Sequence, residues 1–172
     1  QLGHRVSADF DFFSAGKIAP DLLSELECIF KKKKLNVAVN NADELTLLID
    51  SVKTTFLHYP FPLLFPLLEF QGLRLAAGRE IAAMKAYTIG RRGSFKDYVD
   101  LYFILTAKID TLGNIIQNSE RKYGEIFNAR LFLEQLVYLE DVEDTDILFL
   151  EEKVEREELK TIFEKKIKEV AI

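Results

Sequence analysis

The sequence predicts an α+β fold with its strands gathered early and its helices late. Three observations carry that prediction. Polar and phenylalanine side chains alternate in SADFDFF near the start, three short apolar runs separated by turn residues lie between Leu35 and Tyr59, and helical periodicity runs from Arg79 towards the end. Within that class the chain divides into a core over residues 1–107 and a C-terminal helical module over residues 108–172.

The elements follow in order. From Ser7 onward the alternation places Ser7, Asp9 and Asp11 on one side of an extended strand and Phe10 and Phe12 on the other. Pro20 opens a helix predicted over Pro20 to Lys33, with Leu22, Leu23, Leu26, Ile29 and Phe30 at helical spacing and a lysine run, Lys31 to Lys34, at its end. Cys28 reads as a buried position on that helix. Leu35–Val39, Glu44–Ile49 and Val52–Tyr59 are predicted strands of an antiparallel meander, turned at Asn40–Asn41 and more tightly at Asp50–Ser51. After a proline-rich connection, LEFQGLRLA suggests a short strand or irregular edge, and Arg79–Ile89 is an alanine-rich helix stopped by Gly90.

Ser94 is a good N-cap for the next helix. Asp97 stands three residues on, as in a capping box, and Tyr98, Leu101, Tyr102 and Leu105 supply an apolar face. Helices are then predicted over Leu112–Tyr123, Asn128–Tyr138 and Val154–Val170, with the acidic stretch DVEDTD before the last.

Composition narrows the function classes. At 172 residues and 48% apolar, the chain can bury a core of its own and has room for one domain or a small module with a helical appendage. A net charge of −5 argues against a surface coated in basic residues. It leaves room for a local basic cleft from Lys31–Lys34, Arg91, Arg92 and Lys96, although the lysine run also fits the solvated end of a helix. The most apolar stretch, Phe56 to Phe70, contains His58, Glu69 and three prolines, so no membrane span is expected. No secretory leader is visible, and the cytoplasm is the expected compartment. Cys28 is alone, which excludes an internal disulfide and a cysteine-based metal cluster.

Three groups of residues could carry chemistry. Asp9 and Asp11 form a DxD pair whose carboxylates share a strand face. Two like charges so placed repel unless a cation lies between them, and both can coordinate a hard ion such as Mg²⁺. The bland alternative is a solvent-facing strand edge. Lys85, in EIAAMKAYTIG, is a lone cation among small and apolar residues; it can bind phosphate or simply snorkel to water. In RRGSFKDYVDLYFIL, Lys96, Asp97 and Asp100 lie near one helix face. There Asp97 could close a capping box with Ser94, and Lys96 could pair with Asp100, as a purely structural account.

Taken in order, LGHRVSADFDFFS, LRLAAGREIAAMKAYTIGRRGSFKDYVDLYFIL and LVYLEDVEDTDILFLEEKVEREELKTIF resemble the AbiEii-type nucleotidyltransferase toxins of abortive-infection and type IV toxin–antitoxin systems. The resemblance spans most of the chain and is softest in the third block. It implies a polymerase-β-like nucleotidyltransferase fold with Asp9 and Asp11 as the metal-binding pair, Ser7 as the small polar residue ahead of it, and Lys85 as the family lysine. Lys96, Asp97 and Asp100 match a KDxxD motif, whose lysine would contact nucleotide phosphates and whose first aspartate would build the site or act as a base.

The implied reaction is Mg²⁺-dependent transfer of a nucleotide from an NTP to an acceptor such as tRNA, with release of pyrophosphate and with a cognate antitoxin as partner. The sequence departs from the pattern in two places. The family carries a Gly-Gly-Thr/Ser segment ahead of its first block, whereas this sequence reaches LGHR almost at once after Gln1, so the phosphate-cradling loop is expected to be absent from these residues. Glu80 replaces an aspartate, keeping the charge and lengthening the arm. Two functions therefore stay open: a nucleotidyltransferase, or a catalytically silent module that binds an antitoxin-like protein or RNA.

Overall fold

The computed structural model describes residues 2–91, 94–142 and 146–170. The chain forms two compact units, one of residues 7–61 and one of residues 1–6 with 62–172.

In the first unit, β1 (Phe10–Ser14), α1 (Leu22–Ile29), β2 (Leu35–Asn40), β3 (Glu44–Ile49) and β4 (Val52–His58) make a four-stranded mixed sheet in the order β1-β4-β3-β2 with one helix. The expected meander is present, since β3 pairs antiparallel with both β2 and β4. β1 instead lies parallel to β4, in the register Phe10 to Thr54 and Asp11 to Thr55. Two parallel neighbours require a long crossover, and the chain makes it through α1, β2 and β3.

Leu45 and Leu47 of β3 pack with Leu26 of α1 as the core, joined by Leu22, Leu23, Phe30 and Phe56. Because the period of a strand is two, the register that puts Phe56 on this face also puts Phe12 there, stacked on Phe56 at 5.0 Å. Asp11, paired with Thr55, falls on the opposite face, as the alternation predicts. The strand itself is shorter than expected: Ser7 and Asp9 precede β1. Cys28 also differs from expectation, being exposed. The stripe that meets the sheet is Leu22, Leu23, Leu26 and Phe30, and Cys28, two residues from Leu26, points about 200° round the helix.

The Asp50–Ser51 turn joins the paired residues Ile49 and Val52 with both central residues at positive φ, 47° and 74°. That is the two-residue hairpin geometry that matches strand twist and favours glycine. Ser51→Gly is expected to stabilise the protein by about 0.5–1 kcal/mol, read as a higher urea midpoint, because relief of left-handed strain outweighs the added freedom of the unfolded chain.

In the second unit, β5 (Leu68–Phe70) and β6 (Leu73–Leu75) form a hairpin turned at Gln71–Gly72. Five helices follow: α2 (Gly78–Ile89), α3 (Phe95–Thr106), α4 (Leu112–Tyr123), α5 (Ala129–Val137) and α6 (Arg156–Lys168). α2 packs on α3, α4 and α5, and α6 packs on α3 and α5. Ala82, Ala83 and Ala86 of α2 are fully buried, and such small side chains let neighbouring helix axes approach. At the start of α2, a Cβ on Gly78 would stand 2.9 Å from Ile109 Cγ2, so a larger residue there would force Ile109 to shift. Thr111 and Asn128 cap α4 and α5, accepting from Asn114 N at 3.2 Å and Leu131 N at 3.0 Å.

Helices from both sides of residue 107 pack together, and the divisions fall after residues 6 and 61. Among the described residues no helix is long and apolar enough to cross a membrane.

Candidate functional site

The alanine face of α2 brings Lys85 against α3, where Asp97 and Asp100 sit three residues apart on the buried side of the helix. Lys85 Nζ lies 2.7 Å from Asp97 Oδ1 and 2.6 Å from Asp100 Oδ2. The carboxylate of Asp100 is also held from the N-terminal segment: Arg5 donates through Nε to Oδ1 at 2.6 Å and through Nη2 to Oδ2 at 2.8 Å, a bidentate pair. His4 Nε2 lies 2.9 Å from Oδ1. A carboxylate only accepts, so this nitrogen carries the proton. His4 is further fixed by stacking on Phe103 at 4.4 Å. Two short backbone bonds, Val6 N to Leu148 O and Leu150 N to His4 O, tie the segment down.

Opposite charges meet within this network. The charges of Lys85 and Arg5 offset those of Asp97 and Asp100, which are 1% and 7% exposed. Burial by itself pushes the Asp100 carboxyl up, but the hydrogen bond from Arg5 and the charge of Lys85 outweigh it and hold the group well below the usual carboxylate range. The neighbouring Tyr98 phenol is pushed up to about 12, by burial first and then by the charge of Asp97. The Lys85 side chain keeps about 20% exposure, so it is the cation of this cluster that an anionic ligand could reach from α2. Such a ligand would have to compete with two carboxylates already in contact.

The capping-box alternative drawn from spacing does not hold. Ser94 stands at the N-cap in extended backbone but makes no side-chain cap bond, and the Asp97 carboxylate goes to Lys85 rather than into a capping box. Asp100 is engaged by Arg5, His4 and Lys85. Lys96 is half-buried on α3 beside Asp97. Arg91 is exposed just past α2, with its guanidinium 4.4 Å from the Tyr87 ring centre, while Arg92 lies outside the described residues. Sequence reasoning did not single out His4 and Arg5 as site residues. The available signal was a basic dipeptide immediately ahead of the acidic strand.

Ser7, Asp9 and Asp11 belong to the other unit. Asp11 is exposed on β1, and Asp9, half-buried, precedes the strand; Ser7 Oγ donates to the Asp9 carbonyl oxygen at 3.4 Å. On Asp11's face the cross-strand row continues through Thr55 and Thr46, both buried, whose hydroxyls lie 3.4 Å apart. Carboxylates and hydroxyls are hard oxygen donors. Mg²⁺ is commonly held by one or two protein carboxylates with water and substrate phosphates filling the other positions, so the Asp9–Asp11 donor set fits that ion. Among the described residues no group of three His, Cys, Asp or Glu side chains is gathered for a metal.

The chain is 33% identical over 173 residues to the uncharacterized protein aq_aa25 of Aquifex aeolicus, an alignment covering 98% of this chain and 82% of the relative. No family model matches it. No solved structure matches it either.

Proposed function

We propose, for a chain that belongs to the same family as the Aquifex protein, that it is a metal-dependent nucleotidyltransferase of the AbiEii toxin type, built on a polymerase-β-like nucleotidyltransferase fold. It would act in the cytoplasm, transferring a nucleotide from an NTP to an acceptor such as tRNA under the control of a cognate antitoxin. The observation that carries this reading is the joining of Lys85 to both Asp97 and Asp100. Residues that the family resemblance selects on two different helices are drawn into one network. The DxD pair adds support, with Asp11 on β1 and Asp9 just ahead of that strand.

Each residue then has a physical task. Asp9 and Asp11 supply the carboxylates for Mg²⁺, which when bound offsets the triphosphate charge and lowers the pKa of an attacking hydroxyl. Lys85 and Lys96 supply positive charge for phosphate oxygens, and Ser7 a small polar contact. Asp97 and Asp100 hold the Lys85 ammonium at a fixed place, and Asp97 can accept a proton.

The test is labelling of total tRNA by a radiolabelled NTP with Mg²⁺. Labelling is expected, with the RNA lengthened, and Asp11→Ala should reduce it at least 100-fold. No transfer from any of the four NTPs sinks the reading, and shortened RNA would make the same carboxylates those of a nuclease.

A second reading is favoured by the Lys85 network, in which the carboxylates of Asp97 and Asp100 already meet the charges of Lys85 and Arg5. On that reading the fold is a catalytically silent module that binds an antitoxin-like protein or RNA. Calorimetry separates the two, since a silent module shows no Mg²⁺–NTP binding that depends on Asp9 and Asp11.

A further inference from the structure

In the unit of residues 7–61, the end of the sheet where β1 and β4 begin carries a row of lysines that the proposed chemistry leaves unused. Lys31–Lys34 leave α1 and lead into β2, whose first residue, Leu35, pairs with Ile49. The chain turns through Asp50 and Ser51 into β4, and Lys53 pairs with Leu48. β1 enters this end beside β4, Phe10 opposite Thr54, and Asp9 immediately precedes it. Alternation along β4 puts Lys53 on the same face as Thr55, which is also the face of Asp11. Given the order β1-β4-β3-β2, three strand spacings of about 4.8 Å, or about 14 Å in all, separate the corner at Asp9 and Asp11 from the corner at the lysine run.

At the corner where α1 leads into β2 the charge is mostly positive. Lys31, Lys32, Lys33, Lys34 and Lys53 are all exposed, and among the described residues only Lys33 of the run carries an ion pair, with Asp50 at 2.7 Å. Glu27 lies one turn back on α1, too little to balance the rest. Four consecutive ammonium groups repel one another. In a chain of net charge −5, such a concentration is a local feature and not a general means of solubility.

We propose that this end of the sheet is a docking lane for the phosphodiester backbone of a nucleic-acid strand, running from Asp9 and Asp11 across Lys53 to Lys31–Lys34. The lane's origin at the two aspartates rests on the transferase reading, with the acceptor's reacting end at that corner; the lysine patch itself does not.

The test is fluorescence anisotropy on the full chain without Mg²⁺ or NTP, using labelled single-stranded RNA and DNA 20-mers, with sedimentation on phosphatidylserine-containing vesicles in parallel. Replacing Lys31, Lys32, Lys34 and Lys53 together by Gln is expected to weaken strand binding at least ~10-fold at 0.1 M salt. It should also flatten the slope of log affinity against log salt by about 2–3, at roughly 0.7 for each phosphate that is no longer neutralised. Lys160, Lys165 and Lys168 of α6, replaced together by Gln, should leave both values unchanged. All these lysines are exposed, so both variants should keep the wild-type circular dichroism spectrum.

Equal affinity and slope in wild type and quadruple variant would overturn the proposal, as would binding to anionic vesicles but to neither strand. Lysine-dependent binding that survives in a chain showing no nucleotide transfer would uphold the lane and sink the transferase reading alone.

Discussion

Lys122→Met is expected to destabilise the protein by about 3–5 kcal/mol, the usual consequence of leaving one buried charge without its partner. Lys122 and Glu80 are 4% and 1% exposed, and Lys122 Nζ lies 2.5 Å from Glu80 Oε1 and 2.6 Å from the Pro62 carbonyl oxygen. The second carboxylate oxygen of Glu80 accepts from Leu64 N at 2.9 Å and Phe65 N at 3.1 Å. One carboxylate and one ammonium thus satisfy the backbone of the proline-rich connection and tie it to α2 and α4. In Lys122→Met the carboxylate keeps its two amides but loses its counter-charge in a place water does not reach.

Guanidinium denaturation should show the full loss in the single variant. A markedly smaller loss is expected when Lys122→Met is made in a Glu80→Gln background, because no uncompensated charge then remains. A loss below about 1 kcal/mol in the single variant would mean that the pair is solvated and that the anchoring account is wrong. Glu80→Asp should also cost stability. The extra methylene of glutamate is part of the reach that lets one carboxylate meet two amides and an ammonium.

What the sequence made legible was whatever local rules decide. β3 begins and ends at Glu44 and Ile49 as expected, because apolar alternation there is bounded by turn residues on both sides; α4 spans Leu112–Tyr123 for the same kind of reason, with Thr111 as its cap. Long-range pairing was not legible. Lys122 reads in sequence as one of the cations of a helix's last turn, and nothing near it announces a carboxylate 42 residues away.

Asp97 was readable in two ways, and the local one failed. A half-buried lysine partner on the adjacent helix offers a charge-assisted bond that a cap bond to a backbone amide cannot match. His4 and Arg5 lie 96 and 95 residues from Asp100, so their role appears only once α3 is placed against the N-terminal segment. The parallel pairing of β1 was hidden likewise, since periodicity gives the faces of a strand but not its neighbour.

Asp100→Asn is expected to cost roughly 3 kcal/mol at pH 7 and to change the shape of the acid-denaturation curve. The carboxylate gathers Arg5, Lys85 and His4, and an amide of the same size removes the charge that holds two cations in a largely buried place. The sign of the pH effect follows from the direction of the shift. In the folded protein Asp100 titrates below its unfolded value of about 3.9, so the unfolded chain takes up this proton first as pH falls. The contribution is therefore complete above about pH 4 and is lost progressively below that, through the depressed folded value.

Wild type should lose stability steeply on acidification below pH 4, and Asp100→Asn, already weaker at pH 7, should show a flatter limb over the same window, measured by thermal melts from pH 2 to pH 7. Asp97→Asn is expected to cost less, because Lys85 keeps its contact with Asp100. Parallel acid limbs in wild type and Asp100→Asn would show that the carboxylate is not tied to Arg5 and Lys85 in solution. The organising role given to Asp100 would then fall with it.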